Sequence, residues 1–431
     1  MNDKTDKVET NAKTTSLFYR LFMLFLLYSV QGVPYGFFTS ALPLFLRDAG
    51  WSRTALGFLN GLSIPWFFKF SWAPLVDRYF FPTFGKRKSW IIPCTAVFIV
   101  FLFLLSLNNP ATTTSVFWLL AIVLTVNAIA ATQDIAVDGL AIDILPPRDR
   151  GPGNAVQVVG FKAGMLFSGG ILLGLNHYLG WSGICLFMSL IAAVVFLFTL
   201  WFPERKASDI RDMERVDIPE ILSSMFKLIT RRGMVLAILL IATYKMGEQL
   251  VDSMYKIFLR DSGISIAAIG IMCGSWGLLF SIAGSTIGGF LARDANRLNV
   301  LLGVGVLRFF PLAATAILPF LPATPSLWVL YPISLTENFA GGMLTTVTFA
   351  FMMDLCDRRV GATHFTTLAA IEVAGKFGIS LFAGLLVDYV GYGLIFALGA
   401  GISAAWVVLV QITRHSALNL GKSGSVAETA A

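Results

Sequence analysis

Hydrophobic residues in this chain come in blocks. Twelve apolar stretches lie at 17–45, 54–76, 89–106, 115–144, 153–175, 180–202, 233–259, 266–292, 299–320, 326–354, 362–388 and 391–412, with polar breaks between them. Each is close to the ~20 residues that carry a helix across a ~30 Å hydrocarbon core. Backbone N–H and C=O groups in lipid must find partners inside their own segment, which excludes open strands. The pattern predicts an all-α polytopic membrane protein with twelve transmembrane helices. The longest polar break, from Pro203 to Gly233, mixes acids with bases and divides the spans six and six. Residues 219–229 inside it read as an amphipathic surface helix. The expected plan is a tail at 1–16, a six-helix bundle at 17–202, a central loop at 203–232, a second bundle at 233–412 and a tail at 413–431.

Composition agrees: 56% of the 431 residues are hydrophobic and 13% charged, where a soluble domain carries roughly 25% charged residues. Mean hydropathy is +0.75. The net charge of +7 invites an anionic partner, but its distribution explains it. With the N-terminus inside, one side of the membrane holds Lys86, Arg87, Lys88, Arg148, Arg150, Arg231, Arg232, Arg358 and Arg359 among many others. The other side holds only Arg47, Arg53 and Arg260. That asymmetry places both termini in the cytoplasm and removes the need for nucleic acid. Cys94, Cys185, Cys273 and Cys356 fall in different helices without a CxxC pair, so neither a disulfide framework nor a metal site is expected. The first residues lack the order of a removable signal. The Gly-Lys pairs at 85–86, 375–376 and 421–422 lack the earlier glycine of a phosphate-binding loop, leaving an ion gradient as the energy source. No cofactor and no enzymatic motif is found.

The halves also echo each other at an offset near 210 residues. Asp143-Ile-Leu-Pro-Pro-Arg-Asp-Arg-Gly follows the fourth span and Asp354-Leu-Cys-Asp-Arg-Arg-Val-Gly the tenth, which brings Lys162 opposite Glu372. Asp77-Arg78 after the second span is matched by Arg293-Asp294 after the eighth. Two parallel six-helix repeats, with solute bound between them, are the plan of the major facilitator fold.

Polar residues inside the spans locate the chemistry, since a charge in hydrocarbon costs several kcal/mol and faces a bundle interior or a wet cavity. Span seven holds Lys245, Glu248, Asp252 and Lys256, spaced three, four and four, which predicts one stripe on a continuous helix. The acids can pair internally with the lysines or, partly unpaired, meet solute or proton; Lys256 can also snorkel outward. Span four holds Asn127, Gln133, Asp134 and Asp138. Two carboxylates one turn apart in a low-dielectric site resist ionising together, so the pair can carry a proton; alternatively they are partners of Lys162, Lys69 or Arg308. Span one places Tyr28, Gln31 and Tyr35 at helical spacing around a Gly-Val-Pro-Tyr-Gly run that breaks or kinks the helix. Arg308, Glu337 and Asn338 are further polar groups at membrane depth. Trp66, Trp72, Trp118, Trp276 and Trp328 read as packing or interface anchors.

The run Lys69-Phe-Ser-Trp-Ala-Pro-Leu-Val-Asp77-Arg followed by Phe84-Gly-Lys-Arg-Lys-Ser-Trp90 resembles the second-to-third-span signature of the AmpG-like and acetyl-coenzyme A transporter branch of the major facilitators. Ala131-Thr-Gln-Asp-Ile-Ala-Val-Asp138 resembles that branch's fourth span, and Gly160-Phe-Lys-Ala-Gly-Met-Leu-Phe-Ser-Gly-Gly170 its fifth. The resemblance implies a bacterial inner-membrane transporter that works with protons on muropeptides, siderophores or acetyl-coenzyme A. Asp134 and Asp138 fall on the branch's motif positions. Muropeptide permeases often carry extra C-terminal spans beyond twelve, which keeps a siderophore solute open. The loop with Asp77, Arg78, Arg87 and Lys88, and Lys69 before it, is expected to latch the inward gate by charge pairs.

The expected protein is thus a monomeric proton-coupled importer of a polar, medium-sized organic solute. Proton-coupling candidates are Asp134, Asp138, Glu248 and Asp252. Solute-binding candidates are Tyr28, Gln31, Tyr35, Asn127, Lys162, Lys245, Arg308 and Glu337. An anionic-metabolite transporter, an exporter and a non-transporting sensor remain as alternatives.

Overall fold

Glycines and prolines decide where these helices bend and how closely they touch. A computed structural model describes residues 16–50, 62, 64–110, 116–204, 216–230, 234–322 and 325–428, and every regular element among them is a helix. We number them α1 (Leu17–Gly36), α2 (Leu42–Asp48), α3 (Ile64–Phe68), α4 (Ala73–Arg78), α5 (Lys88–Leu107), α6 (Val116–Ile144), α7 (Arg150–Leu166) and α8 (Asn176–Trp201). After these come α9 (Ile218–Thr230), α10 (Met234–Thr243), α11 (Met246–Asp261), α12 (Ile266–Ile269), α13 (Gly277–Asp294), α14 (Arg297–Ile317), α15 (Leu327–Leu355) and α16 (Gly361–Glu428). The last contains a break at Gly391, whose φ of 75° is left-handed backbone that a residue with a Cβ adopts only at a cost.

Nine segments among the described residues are long and apolar enough to cross a membrane, or ten if the bent pair Leu327–Leu355 and Arg358–Lys376 counts as one. Most of the first part of the expected second span, 54–76, lies outside the described residues. The expected break in span one takes a softer form. α1 runs through Pro34, and the hydrogen bonding that proline disturbs is recovered by a wider π-type turn over Phe37–Ala41 before α2 continues. Span seven does break: α10 ends at Thr243 and α11 begins at Met246, with Lys245 at the joint.

The chain forms two compact units. Unit one comprises residues 1–222 together with 356–366, and unit two comprises 223–355 and 367–431. In unit one, α1 lies directly on α7: a Cβ on Gly164 would strike the Ser29 carbonyl and come 2.9 Å from the Val33 nitrogen. In unit two, α13 and α15 meet the same way, Gly284 against Phe339 and Gly342 against Ser281. Lipid does not drive apolar helices together, so close contact between small residues supplies the attraction. Outward faces carry large apolar side chains such as Phe103, Phe290, Phe310 and Val408. Trp328 is 90% exposed at the start of α15, whereas Trp66 and Trp72 are tied inward by hydrogen bonds to Asn127 and Thr132.

Candidate functional site

The polar residues of unit one converge from four elements. α6 presents Asn127, Asp134 and Asp138, and α1 presents Tyr28. α7 presents Gln157, and the turn before α4 presents Lys69. Lys69 forms an ion pair with Asp134, with its ammonium also 5.5 Å from the centre of the Trp66 ring. Lys69 had two expected roles, a gate-latch residue and a partner of the α6 carboxylates; the 3₁₀ segment Lys69–Ser71 gives it the second, against Asp134. Asp138 is held differently. Its Oδ1 accepts from Tyr28 Oη at 2.6 Å and from Gln157 Nε2 at 3.1 Å, and among the described residues it has no ion-pair partner. One member of the carboxylate pair therefore has a cation and the other has only neutral donors.

Around this pair, Asn127 accepts from Trp66 Nε1 at 3.1 Å, and the Tyr35 ring packs against Trp66 and Phe161 at 6.3 and 5.3 Å. Gln31 is fully buried, and neither its Nε2 nor its Oε1 has a hydrogen-bond partner. Gln133 turns away to Thr95 on α5, at 2.8 Å. Lys162 is half-buried on α7.

Unit two gathers charge from α11, α14 and α15. Arg308, 2% exposed, donates through Nη2 to Glu337 Oε1 at 2.9 Å and forms an ion pair with Glu248. Of the two readings of the stripe, internal pairing or partial unpairing, direct contact favours the second: Glu248 forms its ion pair outside α11. Glu248 reaches across to α14, where Arg308 bonds it together with Glu337. The Lys245 ammonium lies 5.6 Å from the centre of the Tyr244 ring. Asp252 and Lys256 line a cavity with Glu337 and Asn338.

The loop between α4 and α5 is organised by one carboxylate. Asp77 Oδ1 accepts from Arg87 Nη1 at 2.8 Å, with Lys86 at 3.4 Å, while Oδ2 accepts from both the N–H and the hydroxyl of Thr363 at 2.8 Å. Thr363 stands in the first turn of α16, where a negative charge meets unsatisfied N–H groups and the helix dipole. Burial would raise the Asp77 carboxyl, but Arg87, Lys86 and the two Thr363 bonds outweigh it and hold the group below its ordinary range. Arg87, wholly buried, also donates to Asp143 at 2.7 Å, in a space that exists because residue 139 is glycine: a Cβ there would come 2.5 Å from the guanidinium carbon. Glu204 caps α5 by accepting from the Arg87 and Lys88 N–H groups, both at 2.8 Å. Lys88 itself is spent on the Leu200 and Phe202 carbonyls at the end of α8, and Arg78 on Asp217 at 3.0 Å. Of the residues expected at a latch, then, Asp77 and Arg87 pair directly with each other.

Sequence reasoning missed Gln157, Thr363 and Glu204 as partners, and also the group on α16 in which Glu372 accepts from Tyr244 at 3.1 Å and Lys376 at 3.0 Å. Asp143 and Glu372 had already stood out in the internal echo, which was the available signal.

A family model of the Major Facilitator Superfamily matches residues 24–375. The chain is 28% identical over 396 residues to the anhydromuropeptide permease of Escherichia coli K12, covering 91% of this chain and 79% of that one. Among solved structures it resembles the human organic anion transporter MFSD10 (TM-score 0.64, 17% identity, covering 91% of this chain and 99% of that one). It also resembles the proton:xylose symporter XylE (TM-score 0.68, 13% identity, covering 91% and 95%).

Proposed function

Because this chain belongs to the Major Facilitator Superfamily, and is therefore a multi-pass membrane transporter and not an enzyme, we propose that it couples proton entry to import of an anhydro-muropeptide or a solute of that chemistry. The observation that carries the proton half is the asymmetry of the α6 carboxylates. Asp134 is neutralised by Lys69, while Asp138 is held by Tyr28 and Gln157, which supply hydrogen bonds and no charge. A carboxylate inside a membrane protein without a cation is balanced most simply by a proton. Both neutral donors use Oδ1, so a proton on Oδ2 leaves them in place. Asp138 can therefore change charge without dismantling its surroundings.

The solute half rests on the likeness to the Escherichia coli permease along 91% of this chain. In unit two, Arg308 and the carboxylates of Glu248, Asp252 and Glu337 form a polar wall suited to a charged or hydrogen-bonding solute. Cytoplasmic termini and an inner-membrane location belong to the same reading.

The test is uptake of labelled anhydro-muropeptide into proteoliposomes under an outside-acid pH gradient, beside a labelled ferric siderophore. Accumulation of the muropeptide that collapses with the gradient is the expected result. Siderophore accumulation would reassign the solute, and gradient-independent equilibration would remove the coupling.

A further inference from the structure

A cavity of about 110 Å³ lies within unit two, lined by Asp252, Tyr255, Lys256, Ser334, Glu337 and Asn338 among others. Such a space holds several waters, or a small ligand group in their place. Not all of the charges around it are paired directly. The carboxylates of Glu248, Asp252 and Glu337 offer oxygens within 4.8 Å of one another. Arg308 bonds two of them, Glu248 and Glu337. Asp252 forms no ion pair with any described residue, and neither does Lys256, one turn further along α11. Tyr255 lines the same space, is 7% exposed, and its hydroxyl oxygen is buried without a hydrogen-bond partner. Asn338 spends its Nδ2 on the Ser334 carbonyl at 2.9 Å, which leaves its Oδ1 to accept.

A metal ion fits this arrangement poorly, because the Arg308 guanidinium already occupies two of the three carboxylates. An exposed acid and an exposed ammonium, neither in a direct ion pair, a spare hydroxyl and an amide oxygen suit a ligand that brings both charges. Four residues of helix separate Asp252 from Lys256 by about 6 Å along the axis. Two extended residues span about 7 Å, close to the same reach.

We infer that this cavity is a subsite for a zwitterionic peptide end, with the ammonium received by Asp252, Tyr255 and Asn338 and the carboxylate by Lys256. The subsite deepens the transport reading, since it would hold a peptide portion of the solute that carries a free amine as well as a free carboxylate.

The experiment measures binding to the full-length protein in nanodiscs by titration calorimetry, with three probes: alanyl-alanine, its N-acetyl form and its C-terminal amide. Loss of a charge-assisted hydrogen bond is worth about tenfold or more in affinity. The free dipeptide should bind, and each capped form should bind at least about tenfold more weakly. Asp252→Asn should erase discrimination against the N-acetyl form only, and Lys256→Gln against the amide only. Tyr255→Phe keeps the ring against Phe396, at 6.4 Å, and should weaken the free dipeptide and the amide while leaving the N-acetyl form unchanged. Equal binding of all three probes, or binding of none by protein with a normal melting temperature, overturns the inference. Muropeptide uptake is measured on the same preparation. Uptake without dipeptide discrimination sinks the subsite alone, and discrimination without uptake sinks the transport reading alone.

Discussion

Asp138 and Asp134 are one helical turn apart, yet their neighbours give them different work. Asp134 has Lys69, so replacing it by asparagine removes the acid from an existing ion pair. Breaking a buried pair by deleting one partner typically costs about 3–5 kcal/mol. Asp134→Asn should therefore lower the melting temperature as well as gradient-driven uptake, and a scan of detergent-solubilised protein would show it. Asp138→Asn is gentler: the amide oxygen can still accept from Tyr28 and Gln157. That variant should fold and let solute equilibrate, but it should not concentrate solute against its gradient at any pH. Concentrative uptake by Asp138→Asn, with its pH dependence intact, would remove Asp138 from the proton path. The sequence shows the two acids and their shared face. It does not show which one has the cation, because Lys69 and Gln157 arrive from segments 65 residues before Asp134 and 19 after Asp138.

At the scale of helices, the sequence is most informative where local chemistry decides and least where register does. Block length predicted the membrane-crossing helices, and Pro34 the irregular turn in the first of them. The charged stripe of span seven was legible, but helical spacing alone does not show which partner from another helix each charge will meet. Glu248 pairs with Arg308, which arrives from α14, 60 residues further along the chain. Apolar helices also give no pattern that says which will touch, since they are hydrophobic on all faces. Glycine is the remaining clue, and Gly164 is the sharpest case. Any side chain there meets the backbone of α1, and overpacking of this kind costs about 1–3 kcal/mol or more. Gly164→Leu should separate α1 from α7 and displace Tyr28 from Asp138, whereas leucine at Gly174, where nothing lies within 4 Å, should be tolerated. Comparing the melting temperatures of the two variants tests this, and equal values would mean that α1 and α7 do not depend on their close approach.

Across the whole molecule, the notable feature is that residues 356–366 belong to unit one while the chain on both sides of them belongs to unit two. Asp77 holds that segment through the Thr363 N–H and hydroxyl, with help from Lys86 on the Arg359 carbonyl at 2.7 Å and Arg358 on the Leu145 carbonyl at 3.3 Å. A carboxylate whose folded pKa is depressed stabilises the fold above its unfolded pKa and loses that contribution as pH falls through the lower, folded value. For Asp77 this window lies below the ordinary carboxylate range, near pH 4 and under, so the contact stays charged wherever transport is measured. Asp77→Asn removes the charge and sets an amide N–H₂ against the donors of Thr363 or Arg87. Hydrogen bonds to charged groups contribute about 1.5–3 kcal/mol, so exchange of the amides at 361–366 should rise about tenfold or more. Uptake should slow by a similar factor at every pH while keeping the shape of its pH profile, because the proposed proton site, Asp138, is a different carboxylate. Hydrogen exchange and a pH series on the same variant separate the two roles. Unchanged exchange at 361–366 would mean that the segment is held without Asp77. A shifted pH profile would mean that the latch and the proton site are one coupled system.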